Sequence, residues 1–441
     1  MSYRLGLTSA VFLVIANTVG VGVFTTSGFA LADLHSPALV LLAWLVGGIV
    51  ALCGALSYGA LARQIPESGG EYIFLARTVH PLAGFVAGWI SLLAGFTAPI
   101  AVAALTLQAY LGDAIGEKFD PRWLGTGAIV LAAVLHGIRL RAAVAVQNLA
   151  VALKLAAIAG LVAVGCYALD WRGPGAAAAV ESIDPGAFAV TLVWISFSYS
   201  GWNAAVYVAS EVRKPSRNVN RAMLLGTIVV IGIYVALNAV FVYAAPADVL
   251  AGRPDIGAVA AEALGGPWLR RAVTAIIALA LMTSISAMVM AGSRVYARMA
   301  DDGFMPRALA PAGALPSATV ALQAALAISV VWVSGLAQVL GYVGFTLGLC
   351  AAGTVAGLLA RRGSKGPSAV PIPGYPLVPW AFIVMTVGAA AFMVFRAPYE
   401  AFLGFLTASL GVPVYFAARR SSARPMSIPS AGNKPGAQMT M

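Results

Sequence analysis

Charged side chains are scarce in this 441-residue sequence, 10% of the total against 61% hydrophobic, where a soluble domain carries roughly a quarter charged residues. A water-soluble fold is thereby excluded, and the chain reads as an all-α integral membrane protein. Cysteine is limited to Cys53, Cys166 and Cys350, all in apolar segments, which fits small packing residues and argues against disulfides or metal ligands. The three histidines, His35, His80 and His136, sit at segment ends without ligand spacing. No Asp or Glu falls in the central part of any apolar segment. A membrane enzyme needs a cluster of catalytic side chains inside its spans, and none of these residue types forms one. The alternatives of an enzyme or a receptor are therefore weak, no metal or cofactor is expected, and a channel lacks the continuous polar stripe it would need.

What is present is a succession of long apolar runs, each near the roughly 20 residues that cross a bilayer. Twelve candidates lie at about 7–31, 37–61, 82–111, 123–138, 143–168, 187–211, 222–245, 268–300, 317–335, 338–360, 376–395 and 399–418. The last two are separated only by a short turn holding Arg396, Pro398 and Glu400. Residues 419–441, rich in Ser, Pro, Gly and Arg, read as a disordered tail. The first run is too long and too glycine-broken for a signal peptide and is expected to stay in the mature protein.

Basic residues orient the bundle. With the amino terminus inside, inner segments hold most of the 27 Lys and Arg residues, among them Arg63, Arg77, Arg213, Lys214, Arg217, Arg221, Arg361, Arg362 and Lys365. Outer segments hold fewer, including Arg122, Arg253, Arg270, Arg271 and Arg396. The positive-inside bias places both termini in the cytoplasm, and the cell inner (plasma) membrane is the expected location. The net charge of +11 follows from that bias and gives no reason to expect nucleic acid. The bilayer is the evident macromolecular environment, and the sequence does not set an oligomeric state.

Two runs are interrupted at membrane depth. Residues 13–29, LVIANTVGVGVFTTSGF, carry Gly20 and Gly22 at the middle; residues 188–210, FAVTLVWISFSYSGWNAAVYVAS, gather Ser196, Ser198, Ser200 and Gly201, with Asn203 just beyond. A glycine inside a helix costs about 1 kcal/mol relative to alanine, and backbone groups freed by unwinding in hydrocarbon must find partners in the protein or a polar cavity. A broken helix therefore suggests a binding site, and two in corresponding halves suggest a transporter built from inverted repeats.

The stretches NTVGVGVF at 17–24, RQIPESGGEY at 63–72, FSYSGWNAAVYVASEVRKPSRNV at 197–219 and ARMADDGFMP at 297–306 together resemble the amino acid, polyamine and organocation transporter superfamily. The likeness spans about residues 7–418, and SGWN followed by EVRKPSRN is closest to bacterial L-type amino acid transporters. It implies the LeuT-type fold in a single domain, 1–418: helices 1–5 (7–168) and 6–10 (187–360) as inverted repeats with helices 1 and 6 discontinuous, and peripheral helices 11 and 12 at 376–418. It implies a secondary transporter that cycles by alternating access.

Exposed amides at a half-helix N-terminus suit the carboxylate of an amino acid zwitterion, and free carbonyls at a half-helix C-terminus suit its ammonium. Val21, Gly22 and Val23 are assigned to the carboxylate, next to Val19 and Gly20. The carbonyls of Ala16, Asn17 or Thr18, joined by those near Phe197, Ser198 and Ser200, are assigned to the ammonium, with Gly201 beside them in the substrate site. The bland alternative is that these glycines merely allow close helix packing. Counted back from Lys214 and Pro215, Phe197 falls where related exchangers place an aromatic gate over the substrate; an aromatic in an apolar helix is otherwise packing. Trp202 and Asn203 lie past the break, where they shape a side-chain pocket or, for Trp202, pack against helices or lipid.

Lys154 is the sharpest single residue, the only Lys or Arg well inside a span. A charge there costs at least about 2.5–3.5 kcal/mol unless it is paired or hydrated, and no acidic partner is available, so carbonyls freed in helix 1 are the expected acceptors. In family members with this lysine, its ammonium occupies the position that sodium-coupled relatives give to a cation between helices 1 and 8. Two roles stay open, a proton carrier and a fixed tether in a sodium-independent exchanger, beside simple snorkelling toward the inner interface. Thr283, Ser284 and Ser286 offer hydroxyls near the middle of helix 8 as further coupling candidates, though such groups also bond their own backbone. Glu67, Glu71, Asp301 and Asp302, near Arg63, Arg298 and Arg307, read as cytoplasmic latch elements or as plain solvated turns. Neutral L-amino acids are the expected substrate, carried by sodium-independent exchange or by proton-coupled symport. A polyamine or cationic amino acid is the alternative, disfavoured by Lys154 and the lack of an intramembrane carboxylate.

Overall fold

The computed structural model describes residues 5–115, 120–137, 143–168, 184–301, 317–365 and 371–421, and they are almost wholly helical. The first apolar run forms α1 (Leu7–Thr18) and α2 (Thr26–Leu34), with a 3₁₀ turn, Gly22–Phe24, between them. Next come α3 (Pro37–Gln64) and the short α4 (Gly70–Thr78). A third crossing runs from α5 (Pro81–Ile90) through a π-helical stretch, Ser91–Thr97, into α6 (Ala98–Ile115). After α7 (Arg122–Gly137) and α8 (Ala143–Ala168) the second broken run gives α9 (Pro185–Tyr199) and the four-residue α10 (Ala204–Tyr207).

The remainder comprises α11 (Pro215–Tyr243), α12 (Ala247–Leu250), α13 (Ile256–Asp301), α14 (Ser317–Val333), α15 (Leu336–Lys365), α16 (Leu377–Arg396) and α17 (Pro398–Ser421). Among the described residues seven helical stretches are long and apolar enough to cross a membrane, and five shorter apolar helices accompany them. Their outer faces show Leu42, Ile49, Leu225, Ile228, Val384 and Phe402 to the surroundings. Apolar exposure on that scale fits lipid and not water.

Helix starts follow local chemistry. Proline opens α3, α5, α9 and α11, where its missing N–H has no helical partner anyway. Side chains of Ser36, His80 and Asp184 cap α3, α5 and α9 by accepting from backbone amides. Where the observed bounds differ from those expected, the reason is local. The run expected at 222–245 begins at Pro215, because Lys214 turns the chain with φ 49° and Pro215 then fixes the first helical turn. The run expected at 268–300 is preceded by a helical arm from Ile256, separated from it by non-helical Gly265 and Gly266 before Pro267. Helix α17 continues through Arg419 to Ser421, into the segment read as tail; 422–441 lie outside the described residues. So does the 297–306 loop from Asp302 on, and Arg307 with it.

The site sits where α1, α2, α9 and α10 meet against α3 and α11. Polar links tie these elements together in an otherwise apolar interior. Ser27 Oγ on α2 donates to Asn238 Oδ1 on α11 at 2.5 Å and accepts from Trp44 Nε1 on α3 at 2.8 Å. Tyr199 Oη at the end of α9 donates to the Trp44 carbonyl at 3.0 Å. On α6, Tyr110 Oη donates to the Phe24 carbonyl at 2.7 Å and accepts from the Gly257 amide at 3.2 Å, joining the first break to the arm of α13.

Candidate functional site

Both interruptions fall where the sequence places them, and they are in direct contact. Helix α1 ends at Thr18 and α9 ends at Tyr199, each followed by a few residues of irregular backbone. Gly22 lies so close to the second break that a Cβ on it would stand 2.3 Å from Ser198 Oγ and 2.8 Å from Ser198 Cα. Gly201 has φ +108°, and a Cβ there would meet the Asn17 carbonyl oxygen at 2.7 Å. Gly22 and Gly201 are thus fixed by the mutual approach of two backbones. Gly20 is different: its nearest neighbour would be the Thr18 oxygen at 3.7 Å, an ordinary contact.

A residue not anticipated from the sequence joins the two breaks. The Tyr234 hydroxyl on α11 is 2.6 Å from the Thr18 carbonyl and 2.9 Å from the Ser198 carbonyl, within donating reach of both. Its signal was Tyr234 and Asn238 at i, i+4 spacing, a polar pair on one face of an apolar helix; Asn238 Nδ2 donates to the Tyr234 carbonyl at 2.8 Å. The Ser198 and Thr26 hydroxyls lie 3.0 Å apart, a second bridge between the broken helices.

The unwound turns leave main-chain groups without helical partners. The 3₁₀ turn returns the Phe24 and Thr25 amides to the Val21 and Gly22 carbonyls. Among the described residues, no acceptor in the chain takes the Val21, Gly22 or Val23 amides. Of the carbonyls assigned to an ammonium, Thr18 and Ser198 already face Tyr234, and the Phe197 carbonyl accepts from the Ser200 amide at 2.9 Å. Each carbonyl oxygen has a second lone pair, so these are shared and not lost.

Lys154 lies buried on α8, 5% exposed, and its Nζ donates to the Val19 carbonyl in the first break. That acceptor is of the expected kind, a carbonyl freed by the unwinding of helix 1. Phe197 is buried in the core at the second break.

Trp202 is packed, edge-on to Tyr58 at 4.7 Å and to Phe382 at 6.2 Å, which seats it against α3 and α16. Asn203 turns its side chain to Glu71 Oε1 at 2.6 Å. On α13, the Thr283 and Ser284 hydroxyls bond the Ala280 carbonyl on their own helix at 2.8 and 2.9 Å. Among the described residues no three His, Cys, Asp or Glu side chains gather as a metal site would require.

The charged groups of the 63–72 loop take separate partners. Arg63 donates to the Pro371 carbonyl at 2.5 Å, and Glu67 pairs with Arg77 at 3.1 Å. Glu71, read as a member of a charged latch or a solvated turn, is buried and receives neutral donors.

A family model described as amino acid permease matches residues 5–413 of this chain. Among the relatives it resembles is the large neutral amino acids transporter small subunit 2 of Homo sapiens, 28% identical over 429 residues, covering 94% of this chain and 80% of the relative. The Asc-type amino acid transporter 1 of Mus musculus is 26% identical over 429 residues, with the same coverage of 94% and 80%. The serine/threonine exchanger SteT of Bacillus subtilis (strain 168) is 26% identical over 437 residues, covering 95% of this chain and 98% of the relative.

Proposed function

The chain belongs to the amino acid permease family, and on that premise we propose that it exchanges neutral L-amino acids across the cell membrane by alternating access, without sodium. The observation that carries this reading is the pair of touching helix breaks. The amides of Val21, Gly22 and Val23, without an acceptor among the described residues, are assigned to the carboxylate, and the carbonyls of Ala16, Asn17 and Ser200 to the ammonium, the Asn17 carbonyl lying against Gly201 of the second break. The names of the relatives, a large neutral amino acids transporter subunit and a serine/threonine exchanger, agree with a neutral zwitterion as substrate and exchange as mode.

In this reading the seven long helices and five short apolar ones supply twelve crossings, arranged as two inverted repeats, 7–168 and 187–360, with peripheral helices at 376–418. Contacts between distant segments agree with the grouping of the connecting loops on two opposite faces. Arg396, assigned to an outer segment, forms an ion pair with Asp184 at the start of α9, and the Gly252 amide donates to the Gly28 carbonyl of the outer half-helix α2 at 2.8 Å. Inner segments meet likewise: Ser68 and Ser210 hydroxyls are 2.7 Å apart.

Lys154 acts as a fixed tether whose amino group sits at the first break, where sodium-coupled relatives place a cation. Its link to the Val19 carbonyl supports that role over snorkelling. Phe197 serves as the gate over the bound substrate.

Competition binding tests the recognition scheme. Losing charge-assisted bonds to a carboxylate is worth roughly 1.5–3 kcal/mol, so amidating the α-carboxylate of a transported amino acid should weaken competition about 10- to 100-fold, while modest side-chain changes only grade it. An amide that competed as well as its parent would remove the amide nest from the mechanism.

A further inference from the structure

The loop after α3 wraps the inner half of the second broken helix. Ser68 Oγ accepts from the Ser210 amide at 3.0 Å and lies against its hydroxyl. Gly70, at φ +55°, presses its backbone on the Tyr207 ring, where a Cβ would come within 2.5 Å of Cε1. Glu71, only 5% exposed, accepts three side-chain hydrogen bonds: Tyr58 Oη at 3.0 Å and Asn203 Nδ2 at 2.6 Å on Oε1, Tyr207 Oη at 2.5 Å on Oε2. Asn203 and Tyr207 flank and close α10; Tyr58 belongs to α3. Among the described residues no Lys, Arg or His pairs with this carboxyl group.

The unit gripped in this way includes the first broken helix too. Leu5, just ahead of α1, pairs with Val212 as an isolated bridge: the Leu5 amide donates to the Glu211 carbonyl at 2.8 Å and the Arg213 amide to the Leu5 carbonyl at 2.9 Å. The inner ends of both broken helices are therefore stitched together by backbone, and Glu71 is the buried side chain that fastens α10 of that pair to the rest of the bundle.

We propose that Glu71 is the inner-gate latch of this carrier, a positioning residue whose side chain holds the inner halves of the two broken helices shut and releases them when the site opens to the cytoplasm. The proposal deepens the alternating-access reading above and rests on it. A buried carboxylate is tolerated only while its oxygens are hydrogen-bonded, so a half-open state that had lost Asn203 and Tyr207 without admitting water would be costly. Full opening lets cytoplasmic water replace those donors. The latch thus has two low-energy arrangements, dry and clasped or wet and released, which is the bistable element a gate requires.

The test uses the full-length carrier with Cys53, Cys166 and Cys350 replaced and one reporter, Ala205→Cys, in the fully buried wall of α10. Glu71→Gln keeps the size of the side chain but turns an amide NH₂ toward hydroxyl and amide donors. Labelling of the A205C thiol by a thiol reagent should rise about tenfold, the effect of about 1.4 kcal/mol on the open fraction. Glu71→Asp, which restores both oxygens on a shorter arm, should bring the rate back toward the parent. Glu71→Gln should also shift apparent substrate affinity on one membrane face more than on the other.

A folded Glu71→Gln carrier, judged by an unchanged melting temperature, that labelled at the parental rate would overturn the latch. Should Glu71→Gln fail to fold, Tyr207→Phe keeps the carboxylate and two donors; its labelling must rise about threefold, and a parental rate overturns the proposal equally. Labelling needs no transported substrate. Absence of amino acid exchange would therefore defeat the proposed function while leaving this result to stand or fall separately.

Discussion

Tyr234 spends one hydroxyl on two carbonyls, and those carbonyls belong to different helix breaks. Removing that hydroxyl leaves two buried acceptors short of a donor, a loss of roughly 1–3 kcal/mol. Tyr234→Phe is expected to fold, melt at lower temperature and exchange at least tenfold more slowly, measured by thermal unfolding and by liposome flux. The two glycines of the first break should part company. Gly22→Ala drives a methyl into the Ser198 backbone and should cost about 1–3 kcal/mol as overpacking does, whereas Gly20→Ala meets ordinary contacts and should melt close to the parent. Equal melting temperatures for the two variants would contradict the close approach. For Lys154→Ala, the tether reading expects apparent affinity to change up to about tenfold more on one membrane face than on the other, with little response to a pH gradient in either protein. A parent driven by that gradient, with the drive lost on substitution, would make Lys154 the proton carrier instead.

At the scale of elements, the breaks were legible because glycine and clustered serine inside an apolar run leave few alternatives in hydrocarbon. Lys154 was legible because a lone cation at mid-span demands an acceptor, and unwound helix 1 was the nearest source of carbonyls. The partners that hold the breaks were not legible. Tyr234 looks like any aromatic in an apolar helix until α11 is laid against both α1 and α9, a long-range arrangement that no local pattern encodes. Glu71 reads as a latch charge or a solvated turn, and its burial was not legible because two of its three donors, Asn203 and Tyr207, lie 132 and 136 residues away in sequence. Trp202 and the Thr283 and Ser284 hydroxyls, site candidates by position, are found packed against α3 and α16 and donating to their own helix. Element orientation carries its own prediction. In right-side-out cells expressing a cysteine-free background, Ser216→Cys and Ser364→Cys should resist an impermeant thiol reagent, since the proposed orientation puts the start of α11 and the end of α15 on the cytoplasmic side; labelling of either from outside would invert or break the twelve-crossing arrangement.

For the molecule as a whole, the proposed reading combines the facing breaks, a Lys154 tether and a clasped inner gate into a carrier that turns over only with a zwitterion in the site. The most direct measurement is counterflow in proteoliposomes containing the purified full chain, with labelled neutral L-amino acid outside and the lumen either empty or loaded with unlabelled amino acid. The account predicts uptake that depends on the internal amino acid, with no change when external sodium is replaced by choline and none when a pH gradient is imposed. Uptake of equal rate and extent into empty liposomes, or uptake that required sodium, would contradict it.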